Sequence, residues 1–179
     1  LEFRRVLFRS YQFWINADDD DALRYLRLFT FLDRSAIEAV ETDHGAAPHL
    51  RKAQKLLASE LTTMVHGQAA CRLAEAAAAV LFGGDPQAAP LDAFHVLRAE
   101  VSAFVSAAQT SADVLVGAGR PFASNGEAKR ALQAGSVYFG GQRFAGTLAD
   151  AVPEAAWSHG RFLVVRVGKK QYWLAERAS

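Results

Sequence analysis

The segment that most narrows the possible folds of this chain is 124–141, Ser-Asn-Gly-Glu-Ala-Lys-Arg-Ala-Leu-Gln-Ala-Gly-Ser-Val-Tyr-Phe-Gly-Gly. One short run holds a helix start, a helix stop, a strand and a tight turn. Ser124 stands where an N-cap hydroxyl belongs, and Glu127, three residues on, where a capping-box carboxylate belongs. Gly135 supplies a left-handed stop, a conformation that glycine takes without a Cβ penalty. Gly140 and Gly141 suit a two-residue hairpin turn. Ala128, Ala131 and Leu132 are expected to pack inward, leaving Lys129 and Arg130 adjacent in solvent. The segment therefore predicts a basic helix running directly into a small antiparallel sheet.

The end of the chain extends that sheet. Residues 161–167 and 171–174 read as strands joined through Gly168, Lys169 and Lys170, a hairpin signature. Charge follows the same division. Residues 120–179 carry nine Lys/Arg against four Asp/Glu, a net of +5, whereas residues 11–119 carry eight against fourteen, a net of −6. An acidic front and a basic tail predict two modules, the tail suited to phosphate.

The front reads as all-helical to about residue 84. Asp18, Asp19, Asp20 and Asp21 precede an amphipathic run, and acidic residues favour a helix N-terminus, so a helix is expected from there. Ser35 and Glu38 form a second capping-box pattern, opening a short helix to about Thr42. Pro48 suits the first turn of the strongest helix, with Leu50, Ala53, Leu57, Leu61 and Met64 at helical spacing. Gly67 breaks that run, and an alanine-rich helix follows over 68–82. Residues 85–90 read as a linker, 91 to about 108 as a connecting helix, and 111–116 as a helical turn.

Several chemistries find no support. Cys71 is the single cysteine, which excludes an internal disulfide or zinc ribbon and fits a reducing cytoplasm. No apolar run approaches the ~20 residues of a membrane span. His44, His49, His66, His95 and His159 lack metal spacing, and His66 suits the carbonyls at a helix end. Four consecutive aspartates point several ways around a helix start and cannot make a compact oxygen cage. Neither a metal site nor a catalytic residue is expected.

Two stretches resemble one family. Tyr11-Gln12-Phe13-Trp14-Ile15-Asn16-Ala17-Asp18-Asp19, the run 25–32, the run 53–58 and Val65-His66-Gly67 closely resemble bacterial tyrosyl-tRNA synthetases beyond their catalytic domain. The tail from about Ser111 resembles the S-four-type RNA-binding domain that closes them. The resemblance implies a helical anticodon-binding domain over 11–85, a linker and connecting helix over 86–110, and an S-four-type α+β domain over 111–179. Residues 1–10 fall outside the resemblance and are expected to be a non-native leader. The family binds ATP and tyrosine on a Rossmann domain bearing HIGH- and KMSKS-type motifs; neither motif occurs among these 179 residues. The implied fragment is thus non-catalytic and needs no cofactor of its own.

The implied partner is tyrosine tRNA, with no DNA and no membrane, in the cytoplasm; the parent would be a homodimer and this chain a monomer. Arg120, Lys129, Arg130, Arg143, Lys169 and Lys170 are the candidate phosphate contacts, the alternative being a solvated basic face. Tyr138 would stack on a base or pack within its strand. Asp19 and Asp20 cap a helix or also accept from the donor-rich edge of the anticodon guanine. Lys52 and Lys55 touch stem phosphates or serve as solubilising charge. Asn125 stands where the family usually has a lysine, which removes one cation. Two other classes remain open: a free-standing RNA-binding accessory protein and a helical protein–protein adaptor.

Overall fold

The computed structural model describes residues 2–82, 84–106, 110–169 and 171–177, which divide into two compact units, 1–78 and 79–179. The first is helical: α1 (Glu2–Ile15), α2 (Asp19–Phe29), α3 (Arg34–Ala46), a 3-10 turn (Pro48–Leu50), α4 (Lys52–His66) and the start of α5 (Gln68–Phe82). Its centre is the apolar stripe of α2 and α4, where Ala22, Leu26, Ala53 and Leu57 are fully buried, with Trp14 and Tyr25 packed around them. The outer members of the expected stripe fail. Leu50 and Met64 are exposed: Leu50 ends the 3-10 turn and is cut off from α4 by left-handed Arg51 (φ 53°), and Met64 lies in the last turn of α4.

Of the ten residues expected to be a leader, residues 2–10 are described. They run on continuously within α1, and Leu7, Phe8 and Tyr11 are all buried. Burial, with Glu75 and then Cys71 nearby, pushes the Tyr11 phenol up to about 12. The start of α3 also differs from expectation. Asp33, not Ser35, is its N-cap: the carboxylate accepts from the Ala36 amide (2.8 Å) and the Ser35 hydroxyl (2.8 Å). Glu38 instead pairs with Arg34 one turn back, and the helix continues past Thr42 to Ala46.

The second unit contains α6 (Leu91–Glu100), β1 (Ser102–Ser106), α7 (Ser111–Leu115), α8 (Asn125–Gln133), β2 (Val137–Phe139) and β3 (Gln142–Arg143). A 3-10 turn (Glu154–Ala156), β4 (Trp157–Ser158), β5 (Phe162–Val167) and β6 (Gln171–Arg177) complete it. The sheet runs β1-β6-β5-β2-β3, with β4 on β5; β1 is parallel to β6 and the other pairs are antiparallel. The connecting helix therefore ends earlier than expected. After Glu100 the chain becomes strand, because Ser102–Ser106 finds a parallel partner in Trp173–Arg177, while residues 107–109 lie outside the described residues. One sheet face covers Val137, Phe139, Leu163, Val165 and Ala175 together with Val114, Leu115 and Ala128. On α6, Phe94 stacks on Phe162 (5.2 Å), and both rings are fully buried. Glu176, buried, is held by Arg161 and by Arg98 of α6 (3.0 Å).

Candidate nucleic-acid interface

The local structure over 124–141 follows from its residues almost one by one. Ser124 caps α8, its hydroxyl accepting from the Glu127 amide (3.4 Å). The Glu127 carboxylate reaches one residue further back than a capping box requires, accepting from the Ala123 amide (3.2 Å). At the other end Gly135 (φ 62°) makes a Schellman stop: its amide donates to Leu132 O, and the Ser136 amide to Ala131 O. Gly140 (φ 55°) and Gly141 (φ 86°) both take the positive φ that a tight hairpin needs, and β2 turns into β3. Ala128 is fully buried, Ala131 and Leu132 partly so, and Lys129 and Arg130 are exposed.

The end of α8 is where cations gather. Arg143 folds back over Gly135 so closely that a Cβ there would lie 1.5 Å from its guanidinium. Lys129 and Arg143 thus border one groove of about 530 Å³, floored by Leu132, Phe144 and Leu148. The turn carrying the exposed Lys169 is tied to the same segment, the Gly168 amide donating to Ser136 O (2.8 Å). Among the described residues, Lys129, Arg130, Arg143 and Lys169 have no carboxylate within ion-pair distance. Lys170 lies outside the described residues.

The other tail candidates are engaged internally. Arg120 donates to Val116 O (2.9 Å) and sits 5.5 Å from the centre of the Phe104 ring. Tyr138 lies in register between Arg143 on β3 and Arg166 on β5. The Arg166 guanidinium covers one face of its ring at 3.8 Å. Arg166 is the residue that sequence reading missed. Its place on β5, four residues before the expected turn lysines end, gave no sign that it would face an aromatic ring across the sheet.

In the helical unit the acidic run sits at the start of α2, with Asp18 at the N-cap position and Asp19, Asp20 and Asp21 in the first turn. No side chain makes a capping hydrogen bond there, so the run acts through the helix dipole. Asp19 is oriented from beneath: buried Gln54 donates to it (2.5 Å), and the buried His44 ring lies 3.4 Å away. Asp18 and Asp19, with His49 and Arg51, line a groove of about 370 Å³; Arg51 is fixed by donating to Ile15 O (2.6 Å). Gln54 was legible as a lone amide inside the stripe of α4, whereas Arg51 carried no sequence signal. Lys52 is paired with Asp43 (2.7 Å), and Lys55 is exposed on α4.

Comparison with known proteins bears on both units. Residues 4–83 match the model for class I tRNA synthetases of the tryptophan and tyrosine type, and residues 97–175 match the tyrosine–tRNA ligase C-terminal domain. The tyrosine–tRNA ligase of Geobacillus kaustophilus is 40% identical over 175 residues, which is 96% of this chain and 41% of that protein. The Geobacillus stearothermophilus ligase matches equally, and tyrosine–tRNA ligase 2 of Bacillus cereus is 37% identical over 94% of this chain and 40% of its own length.

The chain belongs to the tyrosine–tRNA ligase family. It spans about two fifths of the length of these relatives. The family match begins at residue 4, within the segment that sequence reading had set aside. Its second part, from residue 97, takes in β1 and so starts ahead of the boundary expected at 111. Mainly helical structure followed by a small mixed sheet is what this member of the tyrosine–tRNA ligase family has. Among the described residues no helix is long and apolar enough to cross a membrane, and no group of three metal-ligating side chains occurs.

Proposed function

We propose that this chain is the tRNA-placing portion of a tyrosine–tRNA ligase, with the second unit an S-four-type domain on the stem and long variable arm and the first unit at the anticodon. The observation that carries this reading is the gathering of Lys129, Arg130, Arg143 and Lys169 around the end of α8 with no carboxylate beside them among the described residues. Cations gathered on a preformed surface neutralise phosphates and release counterions, so binding is shape-led and steep in salt. Asn125 in place of the family's lysine leaves this surface one charge short.

In the helical unit, Asp19 is the better of the two aspartates for the anticodon guanine, because Gln54 and His44 fix its carboxylate beside the groove. Asp20 and Lys55 are exposed and have no such support. Tyrosine activation with ATP and transfer to tRNA belong to the whole ligase, through the HIGH- and KMSKS-type motifs. These 179 residues alone form no tyrosyl-adenylate and act as a monomer. Titration of tyrosine tRNA at low and at physiological salt tests the reading, with ATP–pyrophosphate exchange alongside. The expected result is binding that weakens steeply with salt and no exchange. Salt-insensitive binding, or none, overturns the tRNA assignment; measurable exchange overturns the non-catalytic one.

A further inference from the structure

The groove beside α8 has more shape than phosphate neutralisation requires. Its volume of about 530 Å³ lies within the roughly 300–1,000 Å³ of sites that enclose small molecules. Its floor is apolar: Phe144 and Leu148 are nearly buried, Leu132 is half-buried, and the Phe144 ring is braced by Phe139 at 4.7 Å. Its rim is cationic, with Lys129 on one side and Arg143 on the other.

Two glycines make this shape. A Cβ on Gly135 would collide with the Arg143 guanidinium, and a Cβ on Gly146 would lie 2.5 Å from the Phe144 ring. Each glycine lets a side chain lie flat where a side chain of its own would displace it. The wall is also held in place. The Thr147 amide and hydroxyl both donate to Asp150 (2.6 and 3.0 Å), and the buried Ser111 hydroxyl donates to Thr147 O (2.8 Å). The two Thr147 bonds hold the Asp150 carboxyl below its ordinary range, the amide contributing most.

A phosphate alone has no use for an apolar floor, and a base alone has no use for two cations at the rim. A nucleotide lifted out of its stack has need of both. Resting on the RNA-binding reading above, we propose that this groove receives one unstacked nucleotide of a single-stranded RNA segment, its base on Leu132, Phe144 and Leu148 and its flanking phosphate between Lys129 and Arg143. Gln133, exposed on the wall, adds an amide donor and acceptor for a base edge. Seating a base this way is sequence-tolerant, because every base has an apolar face.

The test changes the RNA and leaves the protein intact. Fluorescence anisotropy compares three probes on the full chain: a short single-stranded RNA of mixed sequence, the same ribose–phosphate chain without bases, and a blunt duplex of that sequence. The single strand should bind roughly tenfold more tightly than the abasic chain, in the range of one stacked base. It should also bind more tightly than the duplex. Leu132→Ser should erase the preference for bases without changing the salt slope, while Lys129→Ala should flatten the slope and keep the preference. Equal affinity for base-bearing and abasic strands, or for strand and duplex, with salt-steep binding throughout, overturns the nucleotide pocket and leaves the RNA reading standing. No salt-steep binding of any probe overturns both. If Leu132→Ser does not fold, the comparison of probes on the unaltered chain still decides.

Discussion

In the helical unit, Arg27, Arg34 and Lys52 each meet a carboxylate of the same unit: Glu41, Glu38 and Asp43. In the second unit Arg98 and Arg161 share Glu176, and Arg177 takes Glu154, yet Lys129, Arg130, Arg143 and Lys169 meet none among the described residues. Net charge scarcely separates the units, −1 over 1–78 and +2 over 79–179, with ten Lys/Arg in each. Exposed ion pairs add little stability, but a cation already beside a carboxylate brings less to a phosphate. Exposed Arg24, Lys55 and Arg72 of the helical unit also lack an ion pair among the described residues, but they stand on three different helices. The difference between the units is therefore one of clustering: the unpaired cations of the second gather at one place, the end of α8.

Core substitutions should have the largest effect and show that the contrast is confined to charge. Phe162→Ala removes a fully buried ring stacked on Phe94 and should cost about 3–5 kcal/mol; Leu57→Ala, fully buried in the helical unit, about 2–5 kcal/mol. Urea denaturation of each variant measures both. A much smaller loss in only one unit would mean that the two differ in packing as well.

Glycine substitutions separate conformation from binding. Gly67 (φ 84°) and Gly135 (φ 62°) both take left-handed backbone, so Gly67→Ala and Gly135→Ala should each lose about 1–2 kcal/mol. Open space surrounds Gly67, whereas Gly135 lies under Arg143. Only Gly135→Ala should also weaken RNA binding, and equal effects of both on binding would break the link between Arg143 and the site.

Single lysines should divide more finely. Lys129→Ala should leave thermal stability unchanged and lower the salt slope of RNA binding by about one. Lys52→Ala should do the reverse, losing no more than about 1 kcal/mol of stability with its Asp43 pair and little affinity. The smallest effect belongs to the α3 cap. The Ala36 amide, and then the Ser35 hydroxyl, hold the Asp33 carboxyl below its ordinary range. Its contribution is therefore full above the unfolded carboxylate pKa and is lost as pH falls through the lower folded value. The small gap in melting temperature between the native chain and Asp33→Ala should close in strong acid; a gap that persists there would assign the cap another origin.

What could be read in the sequence was local. The alanine-rich period of α5 gave its bounds, Gln68–Phe82, and the Gly168 turn gave the β5–β6 hairpin, because both signals lie within a few residues. The stretch after Glu100 was not legible. Its alanines and valines suit helix or strand, and the choice is made by pairing with Trp173–Arg177, far along the chain. At α3 the Ser35–Glu38 pattern pointed to a cap two residues late; Asp33 accepts from the Ala36 amide, a bond that the pattern does not encode. The candidate site divided in the same way. Lys129 and Arg130 were visible from helix chemistry, but Arg143 over Gly135, Arg166 over Tyr138 and Arg120 against Phe104 are contacts between separate elements.

The central claim is that a few carboxylate-free cations at the end of α8 place RNA on this chain. It is tested most directly by the dependence of tyrosine tRNA affinity on salt, for the native chain and for Lys129→Ala combined with Arg143→Ala. The native chain should give a straight line of log affinity against log salt, falling by about 0.9 for each phosphate neutralised on a duplex stem. The double variant should bind more weakly and fall less steeply, by about two. An unchanged slope in the double variant, or a native affinity indifferent to salt, would contradict the claim.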